Sequence, residues 1–159
     1  MDEPCRSYLV ERLQGEVYGE RLFRALAACS EEAGHAHKWR VLERLETATK
    51  ERIRTSLRSS GVEVIDDPES AARGTSDGER FARMPRDAFL DRFRAELAAL
   101  VAKLAAAERL APADTPERAL LRAITDHERA LLEFVERELG GRGKTSLEPA
   151  LALLDPPRS

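Results

Sequence analysis

The sequence predicts an all-α domain: four long helices in two antiparallel hairpins, a long crossover between the hairpins, and a short C-terminal helix. Three observations predict it. The chain is 42% hydrophobic and 35% charged with only 5% aromatics, and β-branched residues are few, a composition that disfavours a sheet. Apolar residues recur at helical spacing over four stretches. Two of the three connections are short, and short connections set consecutive helices antiparallel. At 159 residues the chain forms one domain, 1–159, with room for a core.

The first helix is expected over about 7–29. Leu9, Leu13, Val17, Phe23 and Ala27 form its stripe, Glu20 fills the gap in it, and Glu16 lies on the same side one turn earlier. Gly15 and Gly19 sit inside this helix, where each costs ~1 kcal/mol relative to Ala, a placement that suits close approach of a neighbour. After a connection at Ser30–Ala36, the second helix runs over about 37–58 with Trp39, Leu42, Leu45, Ile53 and Leu57 as its stripe. Glu46 and Thr49 occupy the missing positions of that stripe. Folding the pair back at Glu32 sets Glu20 and Glu46 at similar depth in the hairpin.

Residues 59–84 carry Ser59-Ser60-Gly61, Asp66-Asp67-Pro68, Gly74 and Ser76-Asp77-Gly78, all turn or loop signals. This stretch is read as a crossover loop spanning the length of a bundle, pinned by Val62, Val64 and Ile65. The third helix covers about 86–110, with Phe89, Phe93, Leu97, Leu100, Val101 and Leu104 as an unbroken apolar stripe. Thr115 or Asp114 caps the fourth helix, 115–139, and Gly140-Gly141 stops it. A tail helix, 146–154, is expected to be capped by Ser146 and to pack on one end of the bundle.

The fourth helix carries the oddest pattern. Leu121, Ile124, Leu131, Leu132 and Val135 share one side, Glu128 falls near the middle of that side, and His127 lies at its edge. A carboxylate in an apolar stripe costs free energy unless something pairs with it, so the facing helices should answer Glu128.

Several function classes are excluded. A net charge of −3, with 26 basic and 29 acidic residues interleaved, argues against nucleic acid or an anionic membrane as partner. Cys5 and Cys29 on one helix would lie ~36 Å apart, so both read as free thiols, Cys5 in a frayed terminus. The opening MDEPCRSY has no apolar signal region, and no apolar run reaches membrane-spanning length; a cytoplasmic location is expected. His35 and His37 flank Gly34 near a turn and read as solvated loop residues beside Glu31 and Glu32. Gly140-Gly-Arg-Gly-Lys-Thr-Ser lacks the first glycine of a phosphate loop and follows a helix rather than a strand. With no dinucleotide fingerprint either, no nucleotide or organic cofactor is expected.

Two hairpins of long helices with a long crossover describe a ferritin-like four-helix bundle. Tyr18-Gly-Glu-Arg-Leu-Phe resembles the first metal-glutamate helix of rubrerythrin-like proteins. Leu45-Glu-Thr-Ala-Thr resembles the second-helix Glu-x-x-His, and Asp126-His-Glu resembles the fourth-helix acid-and-histidine cluster. The resemblance implies a di-iron or di-manganese centre for O₂, peroxide or iron chemistry. The chain departs from it at three places: Thr49 stands where the second-helix His belongs, Leu97 and Leu100 where a third-helix glutamate belongs, and Ala123 and Ile124 where an acid should precede His127. The ligand set that remains, Glu20, Glu46, His127 and Glu128, suits one iron or manganese ion and not a standard dinuclear site. The opposing expectation is a non-catalytic bundle whose polar core is a relic. It would act as an interaction or structural protein, a homodimer being the assembly left open.

Overall fold

A computed structural model describes residues 1–155 as six α-helices and a 3₁₀ turn, with no strand among the described residues. The helices are α1 (Glu3–Cys29), α2 (Ala33–Ser59), α3 (Pro68–Ala82), α4 (Arg86–Ala107), α5 (Pro116–Leu139) and α6 (Glu148–Leu154); the 3₁₀ turn is Glu108–Leu110. None of them is long and apolar enough to cross a membrane.

Local chemistry moves several expected boundaries. The Asp2 carboxylate accepts the Cys5 N–H at 3.1 Å, and Pro4 fits the first turn, so α1 starts at Glu3. Cys5 is therefore 1% exposed rather than frayed, and both cysteines are free thiols of one helix. The connection to α2 shrinks to Ser30–Glu32, which places Gly34, His35 and His37 in the first turns of α2 instead of a loop.

The largest correction is α3, inside the crossover that was expected to be a loop. Asp67 caps it through the N–H groups of Glu69 and Ser70, and Pro68 occupies its first position. Ser70, Gly74 and Gly78 recur every four residues on its buried face. They punctuate the sequence like turns, yet here they let two helix backbones approach closely. A Cβ at Gly78 would lie 2.6 Å from the Leu22 carbonyl oxygen and 2.7 Å from the Ala25 Cβ. Of the crossover's expected apolar pins, Val62 and Val64 pack on the core, whereas Ile65 is 82% exposed.

Paired residues fix the helix directions. Arg24 with Glu43 and Glu20 with Lys50 run α1 and α2 antiparallel. Gln14 accepting from the Asp67 N–H and Tyr18 donating to Asp77 run α3 parallel to α1. Thr49 with His127 and Lys38 with Glu138 set α5 antiparallel to α2. Arg86 with Glu138, and Arg122 with Glu108 beyond the end of α4, set α4 antiparallel to α5.

The core has two apolar halves. One gathers the five Phe and the single Trp of the chain: Phe23, Trp39, Phe81, Phe89, Phe93 and Phe134 contact one another ring to ring. The other is aliphatic, built around Leu9, Leu13, Ile53, Leu57, Leu104, Leu121 and Ile124. The stripe expected of α4 is only partly buried: Phe93, Leu100 and Val101 are half-exposed, and Leu90 is buried instead. Phe134 is likewise buried on α5, where Leu132 was expected.

The tail differs from expectation in its start and its seat. Ser146 does not cap α6; its hydroxyl donates to Glu138 and to the Gly143 carbonyl. Lys38 and Arg86 also donate to the Glu138 carboxylate. Burial alone would raise its pKa, but the three donors hold it below the usual range. From this anchor α6 packs along the side of α2 and α5, not on an end.

The α1–α3 contact predicts a clear asymmetry among glycine variants. Gly78→Ala should cost roughly 1–3 kcal/mol in urea denaturation through overpacking, despite alanine's better helix propensity. Gly34→Ala, with nothing within 4 Å of the added methyl, should be neutral or stabilising by up to roughly 1 kcal/mol.

Candidate functional site

Between the two apolar halves lies a layer of buried polar side chains from three helices: Glu16 and Glu20 from α1, Glu46, Thr49 and Lys50 from α2, and His127 and Glu128 from α5. At this level α4 contributes apolar groups alone, with Leu97 buried and Leu100 half-buried.

Helical spacing builds the layer. Glu16 and Glu20 are one turn apart on α1, and the residue between them that faces α2 is Gly19. A Cβ on Gly19 would lie 2.6 Å from Cδ of Glu46, so the missing side chain is what lets the Glu46 carboxyl lie against α1. Glu46 and Thr49, three apart on α2, grip the two sides of the His127 imidazole. Thr49 Oγ1 and His127 Nδ1 are hydrogen-bonded at 2.6 Å, while His127 Nε2 lies 3.2 Å from Glu46 Oε1 and 3.7 Å from Glu16 Oε2.

The expected ligands fall into two groups. Glu20 is drawn away by cations: Lys50 and Arg24 both hold its carboxylate, and Lys50 also reaches Asp66 at 3.2 Å. Glu46 and His127 meet, and their third partner is Glu16. One donor atom from each of Glu16, Glu46 and His127 lies within 4.8 Å of the other two. Glu128 is buried beside them, close enough to raise Glu46 and to be raised in turn by Glu16.

Glu16 is 0% exposed, and neither of its oxygens meets a hydrogen-bond donor. It can share a proton with the Glu46 carboxyl, and His127 Nε2 lies 3.7 Å away. Burial pushes Glu16 up to about 8, against the pull of His127 and Arg12. Burial also raises Glu46 well above its ordinary range, with the Glu128 charge adding to the rise. Glu128 is pushed up to about 7 by burial, opposed by His127.

The sequence pattern missed two partners. Glu16 was placed near the site without a role, although its i, i+4 relation to Glu20 on an apolar stripe was the available signal. Arg12, a further turn back, is a half-buried cation that tempers Glu16, Glu46 and Glu128.

No protein-family model, curated protein or solved structure matches this chain.

A raised carboxyl keeps its proton in the folded state while the unfolded chain has lost it. Stability should therefore fall as pH rises from Glu16's ordinary value of 4.5 to about 8. Glu16→Gln, a permanent mimic of the protonated acid, should flatten this slope and stabilise the protein by roughly 1–3 kcal/mol at pH 8. Chemical denaturation across pH reads both. In the same assay Gly19→Ala should destabilise by roughly 1–3 kcal/mol, because the new methyl expels the Glu46 carboxyl from its seat.

Proposed function

We propose that this chain is a ferritin-like helical bundle that binds one iron or manganese ion in its core through Glu16, Glu46 and His127, with Glu128 alongside. One observation carries the reading: the fully buried Glu16 carboxylate has no hydrogen-bond donor, while two further ligating groups converge on it. A divalent cation answers such an orphan directly. The directions of α1, α2, α4 and α5, with the chain returning between α2 and α4, support the ferritin-like arrangement.

A dinuclear centre does not fit. Thr49 replaces a nitrogen ligand, α4 brings leucines to the layer, and the Lys50 ammonium already occupies Glu20. The chain's own residues prepare a single site. Glu16 and Glu46 shed protons to become ligands. His127 must bind through Nε2, the nitrogen facing both carboxyls, which moves the ring hydrogen to Nδ1. The Thr49 hydroxyl tolerates that change because it can donate to a bare Nδ1 or accept from Nδ1–H. Bound iron or manganese would supply one-electron redox chemistry.

A second reading has its own support. The shared proton of Glu16 and Glu46, together with the Glu20–Lys50 pair, can satisfy the layer without metal. The chain would then be a non-catalytic bundle that works by binding a protein partner or a second copy. Metal analysis of protein purified without chelator and reloaded anaerobically with Fe(II) or Mn(II) separates the two. The metal reading expects near one equivalent and a raised Tm, both lost in Glu16→Gln and His127→Ala but kept in Glu20→Gln. Under a tenth of an equivalent, on the order of background, with no thermal shift would end it, since a ligand of the folded state must stabilise that state.

A further inference from the structure

Every member of the polar layer is nearly sealed, His127 being 1% exposed, so exchange with solvent requires a route. A pocket of about 270 Å³ reaches the layer between α2, α5 and α6, and both Thr49 and His127 line it. Its remaining walls are Leu45, Ala48, Ala123, Ala152 and Leu153, and its charged groups are Arg52 and Asp126. Alanine at three positions, one on each helix, is what leaves the volume open.

We propose that this pocket is the solvent route to the buried acid–imidazole cluster and a binding site for small, uncharged molecules that can hydrogen-bond. The chemistry of the walls selects that class. The lining carries one cation and one anion, Asp126 being paired with Arg129, and its sides are aliphatic. At the layer the Thr49 hydroxyl oxygen keeps acceptor capacity while both His127 nitrogens are engaged. The short helix α6 supplies the outer wall and is tied in place by Arg137 donating to Glu148 and by Ser146 donating to Glu138. Bulk at Ala48, Ala123 or Ala152 therefore sets what can enter. The inference goes beyond metal binding and stands or falls without it.

Hydrogen–deuterium exchange at the imidazole Cε1 of each histidine, read by mass spectrometry in metal-free protein, tests the route. Ala123→Leu and Ala152→Leu should slow His127 by about tenfold or more, because exchange then waits on local opening of the fold, while exposed His37 is unchanged. Ala99→Leu, a matched change at an exposed site on α4, should leave His127 at its original rate. Ala152 is itself exposed, so its variant folds even where Ala123→Leu does not. Unaltered His127 exchange in Ala152→Leu would overturn the route. For the ligand class, acetamide should shift the His127 imidazole resonances in the native chain and not in Ala152→Leu. Equal or larger shifts with acetate or methylammonium would overturn the uncharged assignment.

Discussion

Taking carboxyl groups out of water at mid-height of a helical core is the constraint on which the other features of this fold depend. An isolated buried carboxylate is far too costly to persist, so each must be paired, neutralised or given a cation. The chain uses more than one of these answers within a single layer. Glu20 receives Lys50 and Arg24. Glu46 leans on His127, whose far side is held by Thr49. Glu16 has no hydrogen-bond donor and relies on a shared proton and on the charges of His127 and Arg12. That inequality makes Glu16 the least compensated member of the layer.

The division of the core follows from the same constraint. The aromatic half and the aliphatic half are separate clusters because the polar layer cuts between them on α1, α2 and α5. α4 crosses that level with leucine, so the layer is three-sided and its charge balance is settled without α4. The Lys50 ammonium holds Glu20 and Asp66 on one side of the layer, so the carboxyls raised by burial are Glu16, Glu46 and Glu128 on the other.

Much of this was legible in the sequence. Helical periodicity located α1, α2, α4 and α5, and gaps in the apolar stripes pointed to Glu20, Glu46, His127 and Glu128 as buried. Periodicity reports which face a residue is on, but not which neighbour reaches it first. It therefore could not see that Lys50 would claim Glu20 and leave Glu16 beside His127. The helix α3 was hidden for a related reason. Ser70, Gly74 and Gly78 break a single-helix pattern, and their purpose emerges only with the Tyr18–Leu22 backbone packed on them. Asp67 and Pro68 read as turn signals along with the glycines, whereas they cap and open this helix.

The layer also explains how the helices find their axial register. Apolar stripes on long helices tolerate a slip of one turn, about 5.4 Å, with modest loss of buried area. A slip of α2 along α1 would carry Glu46 off Gly19, toward Phe23 in one direction and toward Gly15 and the Arg12 guanidinium in the other. Either slip would part Lys50 from Glu20, and His127 would lose Glu46 or Thr49 if α5 moved likewise. Each misregistered state would leave a buried charge without its partner, a cost of several kcal/mol, whereas the apolar halves alone separate the registers weakly. Specifying register and presenting a convergent acid–imidazole site are thus one property of the same side chains: the contacts that forbid slippage are those that bring Glu16, Glu46 and His127 together.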